Sequence, residues 1–269
     1  MMVRRILLSL CIVLLYTVIG HTQDFHYSQF SNAPLQLNPA LTGVFAGETR
    51  ISASYRSQWN QVPVSYKTFT ATADHKYTCG RSGPGFFASG IAVNYDQAGA
   101  SRLSMAQVGL YGSYTYPLND QAFFTGGLTF GLGQRAFDTD DLRFDRQFDV
   151  HVGQFNSNLG NNETFANQSH IFMDAGIGIN FRWQELQSGA LIDLLDQRSK
   201  LDLGIGVHHL NRPDMSFIED EKVNLPVRWS PYASGTIQVG DPVDIQLAAM
   251  AQFQNTYRQY LGTAGIKLH

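Results

Sequence analysis

The stretch Ile171-Phe172-Met173-Asp174-Ala175-Gly176-Ile177-Gly178-Ile179-Asn180-Phe181-Arg182-Trp183 decides the reading of this chain. Its odd positions are apolar without exception, whereas its even positions include Asp174, Gly176, Gly178, Asn180 and Arg182. A period of two places the two sets on opposite faces of a β-strand. One face is continuously apolar and ends in Phe181 and Trp183; the other is small, polar and charged. A soluble sandwich would bury the apolar face against a second sheet, but a transmembrane barrel turns it to lipid and the polar face to a lumen. Spanning strands need about 9–11 tilted residues against about 5–6 for ordinary strands. This stretch is long enough to span.

The same pattern recurs on both sides. Ile51, Ala53 and Tyr55 alternate with polar residues, as do Phe69, Ala71 and Ala73, then Ile91, Val93 and Tyr95, then Val108 and Leu110. Phe124, Leu128, Phe130 and Leu132 oppose Thr125, Gly127, Thr129, Gly131, Gly133 and Arg135. Further on, Leu201 to Val207, Val227 to Val239 (with Pro231 weakening the pattern), Val243 to Phe253 and Tyr260 to Leu268 continue the series. Template matching yields about ten strands. Trp59, Tyr95, Tyr116 and Trp183 fall at strand ends, where an interfacial girdle requires them. The fold class expected is all-β, an antiparallel transmembrane outer-membrane β-barrel.

With the first strand running outward, the inner turns fall near Cys79 to Pro84, Pro117 to Gln121, Gln184 to Lys200 and Gly240 to Pro242. Three of these are tight, and the outer side takes the long gaps Ala136 to His170 and Asn211 to Leu225. Short inner turns opposite long outer loops are the barrel pattern. Gln184 to Lys200 breaks it, and its Leu191–Leu195 core reads equally as a short strand or a helix.

Arg4 and Arg5 followed by an apolar run from Ile6 to Ile19 form a secretory signal peptide over residues 1–22, too short for a spanning helix of about 20 residues. Residues 23–48, with two prolines and no alternation, are expected to pack at the periplasmic mouth, because free they would expose Phe25, Phe30 and Leu37. Residues 49–269 are then the barrel. Cys11 lies inside the apolar run, which leaves Cys79 alone and no internal disulfide. Charged residues make up only 15% and the net charge is −3, so there is no basic field for nucleic acid.

The polar residues assigned to the lumen are Arg56, Arg135, Asp174, Arg182, Asp202 and His208, with Asp74 beside them. A barrel enzyme needs nucleophile, base and orienter within hydrogen-bond reach. Asp202 and His208 share a face, but six residues at about 3.3 Å each put them roughly 20 Å apart. Opposite charges satisfying one another is the expectation, with no catalytic set and no cofactor. His208-His209 is read as no metal pair, because adjacent strand residues point to opposite faces. Asp138, Asp140, Asp141, Asp145 and Asp149 lack the glycine and terminal glutamate of a calcium loop and read as a solvated outer loop. Gly126, Gly127, Gly131 and Gly133 lie on a strand with no helix after it, so they cradle no phosphate. Their use is either to let an internal segment approach the wall or to permit curvature.

Several blocks resemble one family. Gln23-Asp24 with Ser28-Gln29-Phe30, Leu37-Asn38-Pro39-Ala40-Leu41-Thr42-Gly43 and Tyr55-Arg56-Ser57-Gln58-Trp59 resemble the amino-terminal signature of the PorP/SprF family. Leu142-Arg143-Phe144 with Gln147, and Gly206-Val207-His208-His209-Leu210-Asn211-Arg212-Pro213 with Ser216-Phe217, follow in family order. The resemblance implies a non-enzymatic outer-membrane barrel of Bacteroidetes, associated with type IX secretion and gliding motility. It implies as partners adhesin-like cargo with a carboxy-terminal sorting domain and the periplasmic secretion or anchoring components, besides outer-membrane lipid. Asn38 and Pro39 on the periplasmic side, and Asn211, Arg212 and Pro213 on the outer side, are the candidate partner-binding residues; a proline-fixed turn is the alternative reading of the second set. Family members continue through further strands to a Glu-x-Ser-Leu ending, whereas this sequence runs to Gly265-Ile266-Lys267-Leu268-His269. A truncated product and a smaller barrel both fit. A generic porin, a barrel enzyme and a soluble periplasmic β-protein are the competing readings.

Overall fold

The computed structural model describes residues 32–58, 66–77, 85–99, 101–139, 142, 144–149, 153–156, 168–185, 199–217, 222–240 and 242–268. Ten long strands form one antiparallel sheet in chain order. They are β1 (Thr49–Gln58), β2 (Tyr66–Tyr77), β3 (Phe86–Ala98), β4 (Leu103–Pro117), β5 (Ala122–Ala136), β8 (Ser169–Gln184), β9 (Lys200–His208), β10 (Arg228–Gly240), β11 (Val243–Gln254) and β12 (Tyr257–Leu268). A separate two-residue ladder of β6 (Phe148–Asp149) and β7 (Gln154–Phe155) lies between β5 and β8. The sheet is an open β-barrel, with β1 and β12 unpaired with each other among the described residues.

The period of two is obeyed as expected. On β8, Ile171, Met173, Ile177 and Ile179 are exposed, while Phe172, Asp174 and Asn180 are buried. Leu110, Leu128, Phe130, Leu132, Leu247 and Ile266 continue the exposed apolar face across the sheet. Tyr116 and Trp183 are exposed near one end of the strands, and Tyr55, Trp229 and Tyr260 near the other. No helix among the described residues is long and apolar enough to cross a membrane. An apolar face of this extent around buried polar groups inverts the usual arrangement of a soluble protein, and a barrel in lipid requires that inversion.

The connections match the expected geometry in part. The short connections from β4 to β5 and from β10 to β11 join one end of the sheet, here the turn end, and the long ones from β5 to β8 and from β9 to β10 join the opposite, loop end. The loop end also carries the short connections from β3 to β4 and from β11 to β12, where Gly99, Arg102 and Asn255 adopt positive φ. Short and long therefore do not alternate strictly. Pro231, expected to weaken its strand, sits inside β10 in register with Ile205. The Leu191–Leu195 segment, Trp59, Cys79 and residues 1–31 lie outside the described residues.

Candidate functional site

What occupies the inner face is the chain itself. A one-turn helix, α1 (Pro34–Leu37), leads into a 3₁₀ turn at Pro39–Leu41. Proline at the first position suits both turns, because its missing N–H would be unsatisfied there anyway. Asn38 links them: its side-chain oxygen accepts from Ala40 N at 2.9 Å, and its amide donates to Ile179 O at 2.9 Å and Tyr232 Oη at 3.3 Å.

The segment rests on a belt of small residues. Ala88, Ser113, Gly127, Gly178, Gly206 and Ser230 are successive cross-strand partners on β3, β4, β5, β8, β9 and β10. Residues 37–43 cross the strands along this row. Leu37 and Asn38 lie over Gly206, Asn38 over Gly178, Pro39 and Ala40 over Gly127, and Gly43 against Ala88. A Cβ on Gly127 would overlap the Pro39 carbonyl, and one on Gly178 would overlap Asn38 Oδ1. Ser113 completes the row by donating to Thr42 O at 2.7 Å. Close backbone approach is the physical use of glycine inside these strands.

Of the two uses expected for the glycines of β5, approach of an internal segment is seen at Gly127 and not at the other three. Gly133 makes room for the Phe172 ring, Gly131 faces the Val108 carbonyl, and Gly126 faces open space on the outer side. Only alternate residues of a strand can meet an internal segment, and that segment crosses β5 at a single height.

Charged groups hold the segment at several points. Arg182 pairs with Asp202 through two bonds of 2.8 Å and donates to Val44 O at 3.3 Å. Asn180 donates to Asp202 at 3.1 Å, and Tyr232 Oη donates to Asn180 at 2.6 Å. A hydrogen-bonded path therefore runs from Val44 through Arg182, Asp202, Asn180 and Tyr232 to Asn38. On the other flank, Arg50 pairs with Asp74 at 2.9 and 2.8 Å, and Asp74 accepts from Gly43 N at 2.8 Å. Leu37, Leu41 and Val44 supply the apolar side, against Tyr232 and Met250, while Leu35 packs on Ala92 and Tyr111.

A second internal segment enters from the loop end. The chain leaves β9 at His208, and positive φ at His209 and Arg212 turns it back over the inner face. Met215 and Leu225 bury against Phe172, Arg135 donates to Met215 O at 2.9 Å, and His170 Nε2 lies 3.0 Å from Asp214 O. Asn211 replaces the missing strand at the edge of β8, donating to Met173 O at 2.7 Å and accepting from Ala175 N at 3.2 Å. Hydrogen bonds from Ser216 N–H, then Val223 N–H, hold the Asp214 carboxyl below the usual carboxylate range.

The reading of His208 and His209 as opposed side chains is overturned here. Both are buried, with ring centroids 6.3 Å apart. The alternation rule lapses because His209 lies beyond the strand with φ of 59°. His209 Nδ1 is 3.0 Å from Asp174, whose other oxygen accepts from Gln107 at 3.2 Å, and His208 Nε2 lies 3.4 Å from Leu37 O. Arg228, the register partner of His208, donates to Gln36 O at 3.2 Å. The two residues that flank the inward loop thus grip adjacent carbonyls of the amino-terminal segment.

Among the residues assigned to the lumen, Asp174, Asp202 and His208 are buried on the inner face, while Arg56, Arg135 and Arg182 are half-buried there. Arg182 and Asp202 meet as an ion pair, Asp174 meets His209 and His208 reaches Leu37 O, while Arg56 stands opposite Thr68 on β2. No cluster of three metal-ligating side chains exists among the described residues. Of the candidate partner residues, Asn38 and Pro39 are fully buried and Pro213 is buried, whereas Asn211 and Arg212 are exposed. Arg50, Tyr232, His209 and Arg228 were missed by sequence reasoning. Their signal is register: each sits opposite, or one step from, an assigned inner residue.

A strand meander with an apolar exterior and a lumen filled by its own amino-terminal segment is the setting for one comparison. The family model described as type IX secretion system membrane protein PorP/SprF matches residues 19–267. The chain belongs to the PorP/SprF family. It is thus a membrane component of type IX secretion. Comparison with curated proteins gives no match. Within the family reading, the Leu37–Gly43 block corresponds to the segment on the glycine belt, and the Gly206–Pro213 block supplies both a belt position and the start of the inward loop.

Proposed function

We propose that this PorP/SprF protein is a non-enzymatic outer-membrane barrel that supports secretion or cell-surface attachment of large adhesin-like cargo carrying a carboxy-terminal sorting domain. It works with periplasmic secretion or anchoring components, in a gliding-motility apparatus of Bacteroidetes. The supporting observation is the occupied inner face: among the described residues, backbone laid on glycine from one side and an inward loop from the other lie across the lumenal side of the sheet. The barrel therefore serves as an anchor and docking frame, not a conduit. The turn end faces the periplasm and the loop end the exterior, a reading supported by the long β5–β8 and β9–β10 connections at the loop end. Residues 1–22 direct export, and residues 23–48 enter the barrel from the periplasmic side. Asn211 and Arg212, exposed on the inward loop, are the outer contact, while Asn38 and Pro39 act by seating the segment.

The test is deletion of the gene in the native host, with complementation by a tagged full chain. The expected outcome is loss of sorting-domain cargo from the cell surface, restored by complementation, with a tagged band in the outer-membrane fraction whose mobility differs between unheated and boiled samples. Unchanged surface cargo would remove the secretion role. High conductance of the purified protein in planar bilayers would favour a porin instead.

A further inference from the structure

The turn end contains a cavity of about 480 Å³ that neither internal segment fills. Residues 44–47 form its roof, and Phe86 and Phe123 form apolar walls. Four cations line it, Lys76, Arg182, Lys200 and Lys267, against two carboxylates, Asp244 and Glu185. Two of the cations are engaged. Arg182 is matched by Asp202, while Lys76 donates to Phe45 O and lies 4.6 Å from the Phe45 ring.

Lys267 stands opposite Asp244 in register, and the lining as a whole carries four cations against two carboxylates. Lys200 forms no ion pair within 4 Å among the described residues; Arg182 and Lys267 act on it as like charges, and Asp202, already paired with Arg182, and Asp244 as opposite ones. Such a charge, set against apolar walls, favours an anionic occupant. The roof adds a second feature. The N–H groups of Ala46 and Gly47 make no backbone hydrogen bond among the described residues, and both residues are exposed at the cavity. Two main-chain N–H groups beside the lysines suit a peptide, whose carbonyl groups can accept from them.

We propose that this cavity binds a short acidic peptide segment, its carboxylates on Lys200 and Lys267, its backbone along Ala46–Gly47 and an apolar side chain against Phe86 and Phe123. The site names the chemistry of a periplasmic partner, and rests on the reading above only for the compartment it faces. A volume of this size lies in the range of about 300–1,000 Å³ that encloses small ligands. It holds a few residues, not a domain.

The experiment measures binding of fluorescein-labelled Glu-Phe-Asp-Leu amide to the purified full chain in detergent, with the Gln-Phe-Asn-Leu counterpart as control. The acidic peptide is expected to bind and to weaken with added salt, and the control to bind at least about tenfold more weakly. Lys200→Gln with Lys267→Gln is expected to abolish that difference while retaining heat-modifiable mobility. If the double variant loses that mobility, Lys200→Gln alone is expected to reduce acidic-peptide affinity at least about threefold. Equal binding of both peptides, or wild-type affinity in a folded variant, overturns the proposal. Succinate competing as well as the peptide overturns the peptide assignment in favour of a small-carboxylate site. Binding is read on pure protein and cargo display in cells, so either idea can fail alone.

Discussion

The two internal segments fill one lumen by opposite means. Residues 33–44 are seated backbone to backbone, on glycines that leave no space for a Cβ. Residues 209–217 and 222–227 are seated by side chains, Met215 and Leu225 on Phe172 and the Arg135 guanidinium 5.2 Å from the Phe217 ring. The first arrangement tolerates no added atom beneath it; the second depends on atoms already present. The polar network differs as well. Arg182 and Asp202 serve the amino-terminal segment with side chains only 14% and 7% exposed, whereas Asn211 and Asp214 serve the loop near the surface.

Four substitutions and one titration separate these modes. The largest effect is expected for Asp202→Ala, which strands the buried Arg182 and should cost about 3–5 kcal/mol in urea unfolding of the detergent-solubilised barrel. Equal sensitivity of Asp214→Ala would erase the contrast between buried and surface polar anchors. Met215→Ala follows, at about 2–5 kcal/mol for a truncated core side chain, with the loop becoming accessible to protease while the amino-terminal segment stays protected. Gly178→Ala adds only one carbon, yet should cost about 1–3 kcal/mol by overpacking and expose residues 33–44 to hydrogen exchange. A neutral result there would show that the belt adjusts, and that glycine is not required beneath Asn38.

Asn211→Ala should cost about 1–2 kcal/mol through loss of its two bonds to the β8 edge, seen as faster exchange at Ala175. The smallest effect is a titration. The Asp214 carboxyl is depressed in the folded state by the Ser216 and Val223 N–H groups, so its contribution is full above the unfolded value of about 3.9 and is lost as pH falls through the folded value. Exchange at the Ser216 and Val223 amides should therefore rise below about pH 4 in wild type. The rise should be absent in Asp214→Asn, and the amides of residues 40–43 should not follow.

Much of this molecule is written in its period of two. Apolar residues at alternate positions must leave the polar lumen, so the ten strands, their outward faces and the inward set from Asp174 to His208 were legible without coordinates. The need of residues 23–48 for cover was legible in Phe25, Phe30 and Leu37, of which Leu37 lies among the described residues and is buried. What stayed hidden depends on how distant strands align. Gly127, Gly178 and Gly206 are each ordinary within their own strand, and become a belt only when β5, β8 and β9 pair in one register. His209 defied the alternation rule because a single positive φ ended the strand one residue earlier.

Sequence alone therefore determined the architecture, since face and span follow from local alternation and length, which water and lipid enforce on every strand separately. The tertiary structure decided what fills the barrel and which charges meet, because both depend on long-range register and on the closing geometry of a chain folded back through its own sheet. Arg182 and Asp202 lie twenty residues apart and Asn38 and Tyr232 far further, and only strand pairing brings them within hydrogen-bond reach.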